Sequence, residues 1–339
     1  MIQNKHIVIT SINPPTKAVK EFANFPEWKT IVIGDRKTPS DWHCGQASFF
    51  SIEQQASLGF QLNDKLPFNH YSRKMLGYLI AIQQGANVIF DTDDDNIPKG
   101  ELLIPSVDSQ TKFTSENLGF INVYQQYTEQ KIWPRGLPLK YVNQSADWTS
   151  KLSVESSSCQ VPIWQGLADG DPDVDAIYRL TNNTPCYFKN PGNLVLGKNT
   201  ISPFNSQATF FTKDAFPLMY LPATVSFRFT DILRGIVAQP ILWSKGWSLG
   251  FTNPIVFQDR NEHDFMRDFE QEIPVFLQAE KSLKIVNDAL SPSMKISEML
   301  VASYSALSQY NIVSSAELEL LQVWLQDLNH IGCWSVNNL

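Results

Sequence analysis

"VIFDTDDDN", Val88 to Asn96, sets three apolar residues directly before a segment holding four carboxylates, Asp91, Asp93, Asp94 and Asp95. A short apolar run bounded by charge reads as a buried strand, and a buried strand fixes whatever stands at its end. Carboxylates a few ångströms apart repel and raise one another's pKa. A divalent cation relieves that repulsion, and hard oxygen ligands suit Mg²⁺ or Mn²⁺. A calcium EF-hand loop is the rival. Asp91, Asp93 and Asp95 fit its first, third and fifth positions, but the sixth is Asn96 where the turn needs Gly, and the twelfth is Leu102 where a bidentate Glu is needed. The flanks also read as strand, so the EF-hand is rejected.

Upstream, "HIVIT" (His6 to Thr10) and "WKTIVIG" (Trp28 to Gly34) are further strands, with a short helix capped by Thr16 between them. Ser51 and Gln54 stand in a capping-box relation. "SRKMLGYLIAIQQG" places Met75, Leu76, Leu79, Ile80 and Ile82 at helical spacing, with Gly85 as the stop. The order is strand–helix–strand–helix–helix–strand, the pattern of a parallel sheet covered by helices. Ligands of such sheets collect beyond the carboxyl ends of the strands. "SINPP", "GDRK" and "DTDDDN" each follow a strand, so the acidic cluster belongs to a ligand-binding rim.

From Pro98 to Asn205 the pattern weakens, and long loops with short strands are expected. "NSQATFFTKDAF" reads as a strand and turn. "TDILRGIVAQPILW" reads as a helix capped by Thr230 or Asp231. Residues 261 to 330 read as mostly helical with breaks at Pro274 and Pro292, and Ser314 with Glu317 forms a second capping box. The expected division is 1–255, with a nucleotide-binding half at 1–97 and an acceptor half at 98–255, followed by a helical extension at 256–339.

The 339 residues carry a net charge of −7 and no Lys/Arg-rich run, which argues against nucleic acid as a partner. Cys44, Cys159, Cys186 and Cys333 have neither C-x-x-C nor zinc spacing and read as free thiols. No apolar run reaches membrane-spanning length and the first residues are too polar for a signal peptide, so a cytoplasmic location is expected. Two N-x-[ST] matches, at Asn143 and Asn182, are then chance. "GNLVLGKNT" (Gly192 to Thr200) fails as a P-loop because Asn199 stands where Ser or Thr must be, and neither a G-x-G-x-x-G nor a G-x-S-x-G motif occurs.

Arg73 and Lys74 open a helix, where the macrodipole disfavours cations. They are either a solvated pair or a grip on an anion beside the acidic loop. Asp231 opens another helix between Arg228 and Arg234. It is either a helix-start residue or a carboxylate kept ionised to accept a proton from an attacking hydroxyl, and the arginines could bind phosphate. His263, in a polar stretch, reads as a surface residue before it reads as a metal ligand.

With these residues in view, "LPFNHYSRKMLGYLIAIQQGANVIFDTDDDN" resembles the central motif of the STELLO-type glycosyltransferases. "ITSINPPT", "TPSDWHCGQASFFSIEQQASLGF", "GDPDVDAIYRLT" and "FNSQATFFTKDAFPLMYLPATVSFRFTDILRGIVAQPILW" follow the family in order, over residues 5 to 250. The resemblance implies a GT-A-like fold, α/β with a mixed, mainly parallel Rossmann-type sheet flanked by helices. It also implies a D-x-D motif, matched by Asp91, Thr92 and Asp93. Asp93 would bind the metal, with Asp91 near the ribose and Asp95 as an additional ligand. Thr10, Ser11 and Ile12 would lie along the nucleotide, Asp35 would face the base, and Asp231 would be the general base of an inverting enzyme.

The expected protein is therefore a Mn²⁺- or Mg²⁺-dependent glycosyltransferase. It would take a nucleotide sugar, expected to be a UDP-sugar, and a glycan or other hydroxyl acceptor. Arg73, Lys74 and Arg234 would add positive charge at the diphosphate, and the helical C-terminal segment would close the acceptor side or build a homo-oligomer contact. The rival readings are a nucleotide-sugar mutase and a non-catalytic scaffold for glycan synthesis.

Overall fold

In the computed structural model, residues 4–154, 159–259 and 264–333 are described. Seven strands form the body of one sheet: β1 (Lys5–Thr10), β2 (Trp28–Ile33), β3 (Ser48–Phe50), β4 (Val88–Thr92), β5 (Gln160–Gly170), β6 (Ala208–Thr212) and β7 (Trp247–Gln258). Their order is β3-β2-β1-β4-β6-β5-β7. The first four are mutually parallel, β6 runs antiparallel to β4 and β5, and β7 is parallel to β5. This is the mixed, mainly parallel sheet that the resemblance implied. Alternation along the strands splits the core in two. Val8, Ile31, Ile33 and Ile89 enter one apolar cluster, while Ile7, Ile9, Val32, Val88 and Phe90 enter the other.

Within residues 1–97 the helices are α1 (Lys17–Phe22), α2 (Ile52–Ala56), α3 (Gln61–Lys65) and α4 (Lys74–Gln83). Thr16 caps α1, and the Ser51–Gln54 capping box at α2 forms in full. Helix α4 lies close on the sheet because of Gly77, where a Cβ would stand 2.5 Å from Val8 Cγ1 and 3.0 Å from Ile33 Cγ1.

One long strand, β5, departs from the expectation of short strands between Pro98 and Asn205, and a second long strand, β7, lies beyond that stretch. β5 contains Pro162 and Gly166, and β7 contains Gly250 and Pro254, residues that punctuate a sequence as turns do. In the sheet these residues serve close packing. Gly250 is paired with Trp164, whose ring would be 2.3 Å from a Cβ there, and β7 shifts register around Pro254.

The remaining helices are α5 (Ala176–Thr181), α6 (Thr230–Ser244), α7 (Phe265–Ala289), α8 (Ile296–Gln309) and α9 (Ala316–His330). Three local expectations are corrected. Helix α7 continues through Pro274, because packing along its length against α5, α6 and α8 outweighs one missing hydrogen bond. Helix α6 has no side-chain cap, so Thr230 and Asp231 belong to its first turn. Glu317 makes no capping box: Ser315 is the N-cap without a side-chain bond, and the Glu317 carboxylate is turned to another segment.

The expected boundary at 255/256 falls inside β7, and the C-terminal helices reach back by buried carboxylates. Glu272 of α7 accepts from the Ala176 N–H at 2.7 Å, and Asp327 of α9 accepts from the Gln61 and Leu62 N–H groups at 3.1 and 2.9 Å. All four cysteines are free, with Cys44 and Cys186 buried. Among the described residues no helix is long and apolar enough to cross a membrane.

Replacing Gly77 by Val should force α4 off the sheet and lower the unfolding free energy by about 1–3 kcal/mol. Urea unfolding reads this directly, and an unchanged midpoint would mean that α4 is not seated as described.

Candidate active site

A cavity of about 990 Å³ opens where β1, β2 and β4 end. Thr10, Ser11 and Ile12 line it from β1, Asp35 from the turn after β2, and Asp93 and Asp95 from the acidic loop, with Arg73 and Arg228 on further walls. The expected residues Lys74, Asp91, Thr92, Arg234 and Asp231 are not on its surface. They lie in the layer beneath.

That layer is an ion cluster. Lys74, with its side chain fully buried, places Nζ 2.7 Å from Asp91 Oδ1 and 2.9 Å from Asp93 Oδ1. Asp91 is equally buried, and Arg234 of α6 donates to its other oxygen at 2.8 Å. The repulsion inside "DTDDD" is therefore relieved by the protein's own cations. Burial pulls the Lys74 ammonium down, but the two aspartates outweigh it and hold Lys74 charged above its ordinary range. Asp93 shares that one ammonium with Asp91 and has no arginine of its own. Burial pushes its carboxyl above the usual range, although Lys74 and the Tyr71 hydroxyl, which donates at 2.5 Å, pull the other way. The Asp93 side chain is 31% exposed, whereas that of Asp91 is 0%. Asp93 is thus the member of the cluster that faces the cavity.

The other acids of the loop have structural partners. Asp94 accepts from the Ser11 hydroxyl at 2.5 Å and the Asn13 amide at 3.1 Å, stapling the acidic loop to the loop after β1. Asp95 accepts from Gln258 at 3.0 Å, next to the antiparallel pairing of Asn96–Pro98 with β7. Thr92 spends its hydroxyl on the Gln207 carbonyl at 2.7 Å. Among the described residues, no three His, Cys, Asp or Glu side chains assemble as a metal-binding set.

The cationic residues are as tightly committed. Arg73 is not solvated: it is 1% exposed, donates to Gln55 Oε1 and Asn63 Oδ1, and stacks on Phe68 with 4.6 Å to the ring centroid. Arg228 donates twice to Glu272, at 2.9 and 2.8 Å. Asp231 forms a two-pronged pair with Arg135, at 3.1 and 3.0 Å, and also accepts from the backbone N–H groups of Ser206 and Ile232. Arg135 grips Asp173 on its other edge at 2.8 Å. Burial would raise the Asp231 carboxyl, but Arg135 more than offsets it and holds the group below the usual range. His263 lies outside the described residues.

Sequence reasoning missed Arg135, Asp173, Tyr71 and Phe227. Tyr71 had a signal, since it stands three residues before Lys74 and so shares its side of the helix start. Arg135, in "WPRG", had none. Phe227 is 47% exposed on the cavity wall, against the rings of Tyr71 and His70.

A family model described as STELLO glycosyltransferases matches residues 228–337. Two Arabidopsis thaliana proteins, probable glycosyltransferases STELLO1 and STELLO2, are each 28% identical over 352 residues. The matches cover 97% of this chain and 44% and 45% of theirs. The chain thus spans less than half the length of these relatives. Among solved structures, the glucosyl-3-phosphoglycerate synthase of Mycobacterium tuberculosis in complex with phosphoglyceric acid aligns at a TM-score of 0.42 and 11% identity. That alignment covers 82% of this chain and 80% of the synthase.

Replacing Lys74 by Met should leave two carboxylates short of a counter-charge and lower the unfolding free energy by about 3–5 kcal/mol. Adding Asp91→Asn should return part of it. A loss below about 1 kcal/mol in urea unfolding would mean that the cluster does not hold the loop.

Proposed function

We propose that the chain is a glycosyltransferase of the STELLO kind, to which it is similar, and that it transfers a sugar from a nucleotide sugar, expected to be a UDP-sugar, to a hydroxyl acceptor. One observation carries the reading beyond family: the loops after β1, β2 and β4 meet at one cavity, and of the two carboxylates on Lys74 it is Asp93 that lines it. Such strand-end crevices are where α/β sheets take nucleotides.

The donor set suits a Mg²⁺ or Mn²⁺ ion of a particular kind. Asp91, between Lys74 and Arg234, is not a fitting ligand. Asp93 is, and a small hard cation is ordinarily held by one or two carboxylates together with substrate phosphates. When bound there, such an ion would supply charge stabilisation to the leaving diphosphate. In the proposed displacement the acceptor oxygen forms its bond to the anomeric carbon as the bond to the phosphate oxygen breaks. The hydroxyl proton leaves to a base and the nucleoside diphosphate departs, with inversion at carbon.

Ser11 and Thr10 would hold the nucleotide, in a loop that Asp94 keeps in place. Asp35 would face the base. Asp231 suits orientation better than proton abstraction. Its oxygens already accept four donors, and a carboxylate with depressed pKa is a weak base. We assign it, through Arg135, to holding the start of α6.

UDP together with Mn²⁺ should raise the melting temperature by a few degrees. Asp93→Ala, which removes the exposed carboxylate, should abolish that shift. Incubation with UDP-sugars and no acceptor should release UDP slowly. Ring isomers of the sugar would favour a mutase instead, and no shift with any nucleoside diphosphate would overturn the reading.

A further inference from the structure

Two segments wall the cavity without belonging to the sheet. One carries Asn69, His70, Tyr71 and Arg73; the other runs from Ala223 through Thr224, Val225 and Phe227 to Arg228. Each is tied to α9 by a buried carboxylate. Glu317, 0% exposed, accepts from the backbone N–H groups of Ala223 and Thr224 at 3.0 and 2.8 Å, from the Thr224 hydroxyl at 2.6 Å, and from the Tyr220 hydroxyl. The Ser314 N–H donates back to Thr224 Oγ1 at 3.0 Å. Ten residues further along α9, Asp327 holds the start of α3, from which the chain runs into the first wall.

Carrying a carboxylate this deep is costly unless donors surround it. Here every side-chain donor comes from the Tyr220–Thr224 loop, and the Glu317 carboxylate adds nothing to the capping of its own helix. The far end of the same wall is fixed to α7. The Ser226 hydroxyl donates to the Gln271 carbonyl at 2.6 Å, and Arg228 is held by Glu272. The stretch between these anchors carries Phe227, which lines the cavity and packs edge-on against the ring of Tyr71, centroids 5.8 Å apart, the same Tyr71 that hydrogen-bonds Asp93.

We propose that Glu317 is a positioning residue for the transfer: it touches no substrate, and it sets the shape of the Ala223–Arg228 wall that meets the reacting sugars. This rests on the transferase reading. Glu317→Gln keeps the volume but turns one acceptor oxygen into a donor facing donors. Thr224→Val removes one link from the other side and is read in its place if Glu317→Gln does not fold. The control is Glu319→Gln, which breaks only the exposed pair with Lys65 on the same helix.

The measurements are UDP affinity by calorimetry and the kinetics of acceptor-free hydrolysis of the UDP-sugar that the wild type cleaves fastest, all well below the melting range. The expected result is UDP affinity within about threefold of wild type, kcat at least tenfold lower in Glu317→Gln, a smaller loss of the same kind in Thr224→Val, and no change in the control. A purely structural role would lower the melting temperature and leave kcat at the assay temperature unchanged, and that outcome overturns the proposal alone. A wild type that neither binds UDP nor cleaves any UDP-sugar overturns the transferase reading and this role with it.

Discussion

The contact on which the rest of this structure depends is the buried ammonium of Lys74 between Asp91 and Asp93. Three requirements meet there. β4 must end in carboxylates that stay folded, so their charge has to be matched inside the protein. Helix α4 must lie against the sheet closely enough for its first residue to reach them. Helix α6 must come from the far half of the chain to place Arg234 on the second oxygen of Asp91, 143 residues away in sequence. Removing any one leaves an unpaired charge in a medium that solvates it poorly, which is why the cluster couples the two halves of the sheet.

The pairing has a functional consequence. Asp91 is satisfied by two cations and withdrawn from solvent, and Asp94 and Asp95 reach the cavity already engaged by Ser11, Asn13 and Gln258, so Asp93 is the carboxylate of the Lys74 cluster left to meet an ion. A site of that kind has little pull on a free cation, and gains it when phosphate oxygens complete the coordination. In the proposed enzyme, ion and nucleotide therefore bind as a unit. The walls that would receive the sugars are shaped from outside the sheet, by carboxylates of α7 and α9. The helical C-terminal segment is in this sense part of the site.

Much of the first 97 residues was legible in the sequence. The strands "HIVIT", "WKTIVIG" and "NVIFD" have uninterrupted apolar runs, and the Thr16 cap and Ser51–Gln54 box are local devices whose partners lie within three residues. The convergence of the loops after those strands follows from parallel topology. What was not legible depends on distant partners. β5 and β7 hide behind Pro162, Gly166, Gly250 and Pro254, which signal a turn until Trp164 is seen lying over Gly250. Glu317 has the spacing of a capping box, yet its donors come from residues nearly a hundred positions earlier. The burial of Lys74 was not legible either, because sequence shows charge without depth.

The most direct test of the central claim is a Mn²⁺ titration followed by electron paramagnetic resonance, with and without UDP. The free-ion signal should persist when Mn²⁺ is added to protein alone and be quenched at one equivalent when UDP is present. Equal quenching without nucleotide would mean that the acidic loop holds the ion with no help from phosphate. No quenching in either case would contradict the site itself.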